Sequence, residues 1–319
     1  HCFLVHGDDV VYSGPPNLFK ELSDHLSKSW ALSVKGSIGP KGTASDLRIL
    51  GRLVSYNHNC YTLEADPRHA ELLGRLVEKD AVTPGVKPEV FDDRLLGPSD
   101  HALFRSSVMR AAYLSIDRPE IQFSVVQLAR AMSSPTYTDF TALKRLCKFL
   151  KGNPRVVQHF HFQKTPTKLH IECDSDFAGN VITRKSTSGY MAFYGRHCLS
   201  SCVKSQSVIA LSSGEAEFYS LGGAISRAIG LQSTLADLGI KVTIEVWTDS
   251  SASIGTAGRM GLGKAKHICT AYLWLQQLVK DGVIRRVFLD RNELVSQLFD
   301  FLVGYSGDEA LGKLEIYRY

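Results

Sequence analysis

Residues 169–179 read LHIECDSDFAG, residues 210–218 read ALSSGEAEF and residues 244–249 read IEVWTD. The first and third are apolar runs of strand type, and each delivers an acid, Asp174 or Asp249, at its end. The second opens a helix, with Ser212 at the N-cap and Glu215 three residues on, the spacing of a capping box. Glu217, two residues beyond Glu215, points to a different face and has no capping duty. Downstream and between these runs, Ser188–Tyr194 and Cys198–Val203 read as a hairpin through Gly195-Arg196-His197. Ser212–Leu238 reads as a long helix, Ser250–Gly258 and His267–Lys280 as shorter ones, and Val283–Leu289 as a last strand. This succession of strands and helices predicts a mixed α/β layer over Leu169–Leu289. Active sites in such layers gather at strand ends and helix starts. Two metal ions bridging a phosphodiester need carboxylates that converge from separate elements. Hard oxygen donors of this kind suit Mg²⁺.

The chain before this layer is organised differently. Residues 1–13 form a strand-turn pattern, and Leu18–Trp30 has helical periodicity. Ser33–Asp46 reads as a loop. Leu47–Leu53 and Cys60–Leu63 read as short strands about a turn at Asn57-His58-Asn59. Pro67 starts a helix that runs to about Lys79. Asp80–Ser99 is rich in turn residues and reads as a linker. Three amphipathic helices follow, about Leu103–Ser115, Pro119–Met132 and Tyr137–Lys151, joined by short links as in a compact helical unit. Val156–Phe162 then alternates like a strand.

The 319 residues are 44% hydrophobic, enough for more than one core. A formal charge of +5 and a pI near 8.7 permit a nucleic-acid partner without requiring one. No apolar run approaches the roughly 20 residues of a membrane span, so no membrane association is expected. The segment His1–His6 does not resemble a signal peptide and reads as joined in mid-strand, with more chain expected upstream. The seven cysteines are scattered, and the closest spacing is Cys198-x-x-x-Cys202. They read as free thiols in a reducing compartment. His159-x-His161 places two rings on one face of a strand and, with no acids nearby, reads as surface.

Five motifs in the second half resemble the ribonuclease H region of copia-type retrotransposon Pol polyproteins. Cys173–Gly179 looks like "SDADWAG", Arg184–Tyr190 matches "RKSTSGY" and Ala210–Phe218 matches "ALSSxEAEY". Thr248–Ala252 resembles "xDSSSA", and Lys266-His267-Ile268 with Tyr272–Leu275 resembles the "KHI…RYxxL" helix. The first half resembles the end of the family's reverse transcriptase. His6–Val10 sits where the family has "YVDD", Ile49-Leu50-Gly51 resembles "FLG", and Phe104–Ile121 and Lys144–Gly152 resemble "YRSxVGxLxYLxxxRPDI" and "AKRxLRYLKGT". The resemblance spans about residues 3–300.

The resemblance implies a ribonuclease H-like mixed sheet with flanking helices at 156–303. Before it would stand a partial reverse-transcriptase palm at 1–80 and a helical thumb or connection region at 81–155, and after it an unassigned tail at 304–319. It implies Asp174, Glu217 and Asp249 as catalytic, metal-binding carboxylates for two Mg²⁺ ions that cut the RNA strand of an RNA–DNA hybrid. Asp176 is either an outer residue of that site or a solvated turn acid. The fourth acid of the family's "NENLADIFTK" run is replaced by Gln297, which weakens the second ion. Glu293 and Asp300 are other candidates. Asp8 and Asp9 correspond to a vestigial polymerase metal pair, and this chain alone is not expected to polymerise. Arg184, Lys185, Lys204, Gln206 and His267 are candidate nucleic-acid contacts, as are Lys264 and Lys266. His267 reads equally as a proton carrier or a structural residue. The implied partners are the hybrid and the remainder of the polyprotein upstream, in a cytoplasmic virus-like particle or the nucleus. The alternative is a decayed, non-catalytic relic that retains only nucleic-acid binding.

Overall fold

The computed structural model describes residues 2–85, 91–261, 263, 268, 272–289 and 316–318. Among the described residues, strand β1 (Cys2–His6) and strand β2 (Asp9–Ser13) pair only with each other, and Gly7 turns the hairpin at φ 57°. Helix α1 (Pro16–Leu26) follows.

Strands β3 (Asp46–Ile49), β4 (Arg52–Asn57) and β5 (Cys60–Ala65) form an antiparallel meander. The stretch expected as one strand, Leu47–Leu53, is broken by a turn in which Leu50 and Gly51 both take positive φ, 49° and 78°. Helix α2 (Pro67–Gly74) is capped by Asp66, whose carboxylate accepts from Arg68 N. It is shorter than expected. Helix α3 (Pro98–Ser115), a 3-10 turn at Pro119–Ile121, helix α4 (Gln122–Arg130) and helix α5 (Tyr137–Gly152) make the expected helical unit. The start of α5 is a capping box between Thr136 and Asp139. Phe104, Leu114, Leu146, Phe149 and Leu150 are fully buried there, packed with Leu73 of α2.

Strand β6 (Val156–His161) departs from expectation. It was placed at the start of the ribonuclease H-like unit, but it pairs antiparallel with β5, Cys60 opposite His161 and Glu64 opposite Val157. Alternation alone identifies a strand and leaves its neighbour open, which is why the sheet membership was misread.

Strands β7 (Lys168–Ser175), β8 (Thr187–Tyr194) and β9 (His197–Ser205) form a second antiparallel meander. Gly195 at φ 62° closes the β8–β9 turn. Helix α6 (Ser213–Asp237) leads to β10 (Thr243–Thr248), which lies parallel to β7. Helices α7 (Ser251–Ala257) and α8 (Trp274–Lys280) precede β11 (Ile284–Leu289), parallel to β10. The sheet order is β11-β10-β7-β8-β9. This is the mixed sheet with flanking helices expected for a ribonuclease H-like unit. Its core lies between α6 and the sheet, with Leu169, Ile171, Phe218, Leu221, Ile225, Ile244 and Val246 wholly or almost wholly buried. Helix α4 covers β9, with Phe123 and Val126 against Met191, Cys198 and Val203. Strand β12 (Ile316–Arg318), from the tail that had no expected structure, pairs with β6 and completes the order β12-β6-β5-β4-β3.

Candidate metal-binding carboxylate centre

The parallel register of β7 and β10 runs from Thr243 opposite Lys168 to Trp247 opposite Glu172. Two residues further along both strands it sets Asp249 beside Asp174. Helix α6 crosses this end of the sheet, its first turn fixed by Ser212 Oγ accepting from Glu215 N at 3.2 Å. Glu215 does not return to Ser212, as a full capping box requires. Its carboxylate accepts from Leu211 N at 2.8 Å and from the Tyr219 hydroxyl. Glu217 is thereby turned toward the strand ends.

One carboxylate oxygen from each of Asp174, Glu217 and Asp249 lies within 4.8 Å of the others. Glu217 is buried, Asp174 half-buried and Asp249 exposed. Ser175 donates twice to Glu217 Oε1, from Oγ at 2.8 Å and from the backbone N at 3.1 Å. Glu217 Oε2 is buried and receives no hydrogen bond from the described residues. Ser220, three residues along the same helix face, donates to the Asp174 carbonyl at 2.7 Å and locks helix to strand. Burial, aided by the charges of Asp174 and Asp249, pushes the Glu217 carboxyl up to about 9. Two unit charges at such separations repel by about 3–4 kcal/mol at an effective dielectric near 20. A divalent cation there would remove that repulsion and give Oε2 a partner. The donor set, three hard oxygens and no sulfur or nitrogen, fits Mg²⁺.

The other predicted residues fall in several places. Asp176 is a brace: its Oδ1 accepts from Thr187 N at 2.6 Å while its own N donates to Thr187 O at 3.0 Å. Arg184 and Lys185 lie in the loop that leaves the Asp174 strand end, held by Asn180. Lys204 is exposed on β9. Gln206 has a buried Oε1 that receives no hydrogen bond from the described residues. It is buried, and its amide donates to Ser188 Oγ and to the Ala216 carbonyl at 2.9 and 2.8 Å, pinning the β8–β9 hairpin to α6. Asp8 and Asp9 are exposed at the β1–β2 turn and join no metal-type cluster among the described residues. Lys264, Lys266, His267, Glu293, Gln297 and Asp300 lie outside the described residues. Sequence reasoning missed Ser175, although its place next to Asp174 was a signal. It also missed Arg130 of α4, which donates to Ser205 Oγ at 2.7 Å and to Thr187 Oγ1 at 3.3 Å and links the helical unit to the sheet.

No family model matches the chain. It is 29% identical over 313 residues to the retrovirus-related Pol polyprotein of transposon RE1 of Arabidopsis thaliana, covering 94% of this chain and 20% of that protein. An uncharacterized mitochondrial protein of the same plant is 30% identical over 228 residues, 68% of this chain and 89% of the relative. The fold is similar to that of a foamy viral protease-reverse transcriptase solved with dsDNA, at a TM-score of 0.53 and 12% identity, over 91% of this chain and 55% of that one. The chain thus spans about a fifth of the length of the Pol polyprotein it matches. Matched along nearly its whole length, and carrying the family's motifs in order, the chain belongs to the copia-type, retrovirus-related Pol polyproteins.

Proposed function

We propose that Asp174, Glu217 and Asp249 form a ribonuclease H-type centre that cuts the RNA strand of an RNA–DNA hybrid with Mg²⁺. The observation that carries this reading is the convergence of three carboxylates from two strand ends and a helix start, one of them with a buried oxygen that has no hydrogen-bond donor among the described residues. When bound there, Mg²⁺ would supply Lewis-acid polarisation of the phosphodiester and favour ionisation of the attacking water. The chain's own contribution is positional. Ser175 orients Glu217, Ser220 ties its helix to the Asp174 strand, and Asp176 holds the adjoining loop shut against β8. Arg184, Lys185 and Lys204 are available to hybrid phosphates. Hybrid selectivity would arise from contacts to 2′-hydroxyls across the shallow groove.

Within the polyprotein, residues 1–80 and 81–155 are best read as a palm remnant and a thumb or connection region, with β6 added to the first sheet. Asp8 and Asp9 stand on a hairpin that pairs with no other described strand, and this chain by itself is not expected to extend a primer.

The test is cleavage of a labelled hybrid in Mg²⁺ by the chain and by its Asp174→Asn variant. The chain should cut and the variant should not; equal cleavage by both removes the assignment. Salt-dependent hybrid binding without turnover would favour the relic instead, which Gln297 motivates. Gain of cutting by Gln297→Asp from a low baseline would trace the weakness to the fourth position.

A further inference from the structure

A second group of metal-type ligands lies in the other sheet. Cys60 opens β5 and stands opposite His161, the last residue of β6, while His159 stands opposite Thr62. Directly opposed residues share a face, and so do residues two apart on one strand. The antiparallel ladder therefore puts Cys60, His159 and His161 on one face at the end of the sheet. Their ligand atoms, Cys60 Sγ and one ring nitrogen from each histidine, all lie within 4.8 Å of one another. Cys60 is buried and both histidines are half-buried, with their rings stacked at a centroid distance of 5.8 Å. His161 is held from the outside, since its carbonyl lies 2.9 Å from His197 Nε2.

We propose that Cys60, His159 and His161 bind one Zn²⁺ ion, with the fourth corner facing solvent. One thiolate and two imidazoles are the donor set that a borderline-soft ion prefers, and Mg²⁺ does not compete for it. The geometry agrees. With Zn–S about 2.3 Å and Zn–N about 2.1 Å, a tetrahedral angle separates sulfur and nitrogen by about 3.6 Å. Cys60 Sγ lies 3.6 Å from His159 Nδ1. A thiol–imidazole hydrogen bond would account for that pair alone and gives His161 no part. Binding takes the proton from the Cys60 thiol, which leaves to solvent as the Zn–S bond forms. The ion would clip β5 to β6 across the whole helical unit, closing a long loop of chain, and such long-range links restrict the unfolded state most. No acid of the carboxylate centre takes part, so this inference is independent of the nuclease reading.

The test titrates the metal-free full chain with Zn²⁺ in excess Mg²⁺, and in parallel with Co²⁺ as a spectroscopic substitute. One equivalent of Zn²⁺ should bind and raise the melting temperature, and the Co²⁺ form should show a thiolate charge-transfer band. Cys60→Ser should lose that band, His161→Gln should bind at least tenfold more weakly, and Asp249→Asn should change neither. If Cys60→Ser fails to fold, His161→Gln decides, because its ring is half-exposed at a strand end. A Co²⁺ complex without the thiolate band overturns the site. So does Zn²⁺ binding that is unaffected by Cys60→Ser and His161→Gln, or that is lost in Asp249→Asn.

Discussion

Glu217 holds its proton up to about 9 against an ordinary value near 4.5, because it is buried beside two other acids. The sign of the consequence follows from linkage. A carboxyl whose pKa is raised by folding favours the folded state fully below its unfolded value, and that contribution is lost as pH rises through the folded value. Metal-free protein should therefore lose stability between about pH 4.5 and 9. Mg²⁺ should restore it at the alkaline end, where proton and metal compete for the same oxygens. Glu217→Gln keeps the Ser175 hydrogen bonds and removes the charge. It should flatten that pH dependence, raise metal-free stability at pH 8 by about 1 kcal/mol or more, and abolish stabilisation by Mg²⁺. Thermal melts with and without Mg²⁺ across the pH range check this. Asp66 works in the opposite sense. Hydrogen bonds from Arg68, helped by the charge of Arg48, hold its carboxyl at about 2. Its stabilisation is present above its ordinary value and is lost as pH falls toward 2. Both guanidiniums are at least half exposed, so Asp66→Asn should cost only about 1 kcal/mol at pH 6. It should cost almost nothing near pH 2, by denaturant unfolding at each pH.

Helix α6 carries two adjacent glycines whose surroundings differ. A Cβ on Gly222 would stand 2.6 Å from Cδ1 of Tyr272, a ring tilted against Tyr219 at a centroid distance of 4.5 Å, while a Cβ on Gly223 meets nothing within 4 Å. Gly222→Ala should thus destabilise the chain by about 1–3 kcal/mol through overpacking. Gly223→Ala should stabilise it by about 0.5–1 kcal/mol through helix propensity. Denaturant midpoints of the two variants give the opposite signs directly. At this scale the helices were the most legible part of the sequence, because their ends carry local chemistry: Ser212 for α6 and Pro67 for α2. The break at Leu50-Gly51 was not legible, since a leucine with positive φ has no local signature. The Glu215 side chain illustrates the same limit. The spacing announced a cap, but which backbone N–H it would serve depended on how Leu211 and Tyr219 packed.

Across the whole molecule, what could be read was what lies close along the chain. The succession from β7 to β11 followed from periodicity, and Asp174, Glu217 and Asp249 stood out because each ends a strand or starts a helix. Their convergence was an expectation that only the parallel β7–β10 register could meet. Long-range pairing had no such trace. Nothing in Val156–His161 names β5 as its neighbour, so β6 was assigned to the wrong sheet, and His159 and His161 read as surface while Cys60 stood far away in sequence. Gln206 read as a nucleic-acid contact, and nothing in the sequence signalled that its amide nitrogen serves Ser188 and Ala216.

The most direct measurement labels both strands of an RNA–DNA hybrid and follows them in Mg²⁺ with the chain and with Asp249→Asn. The account predicts cuts in the RNA strand only, at a rate about 100-fold or more above that of the variant, equivalent to about 2.7 kcal/mol of barrier. Cutting of the DNA strand, or RNA cleavage that survives Asp249→Asn undiminished, would contradict it.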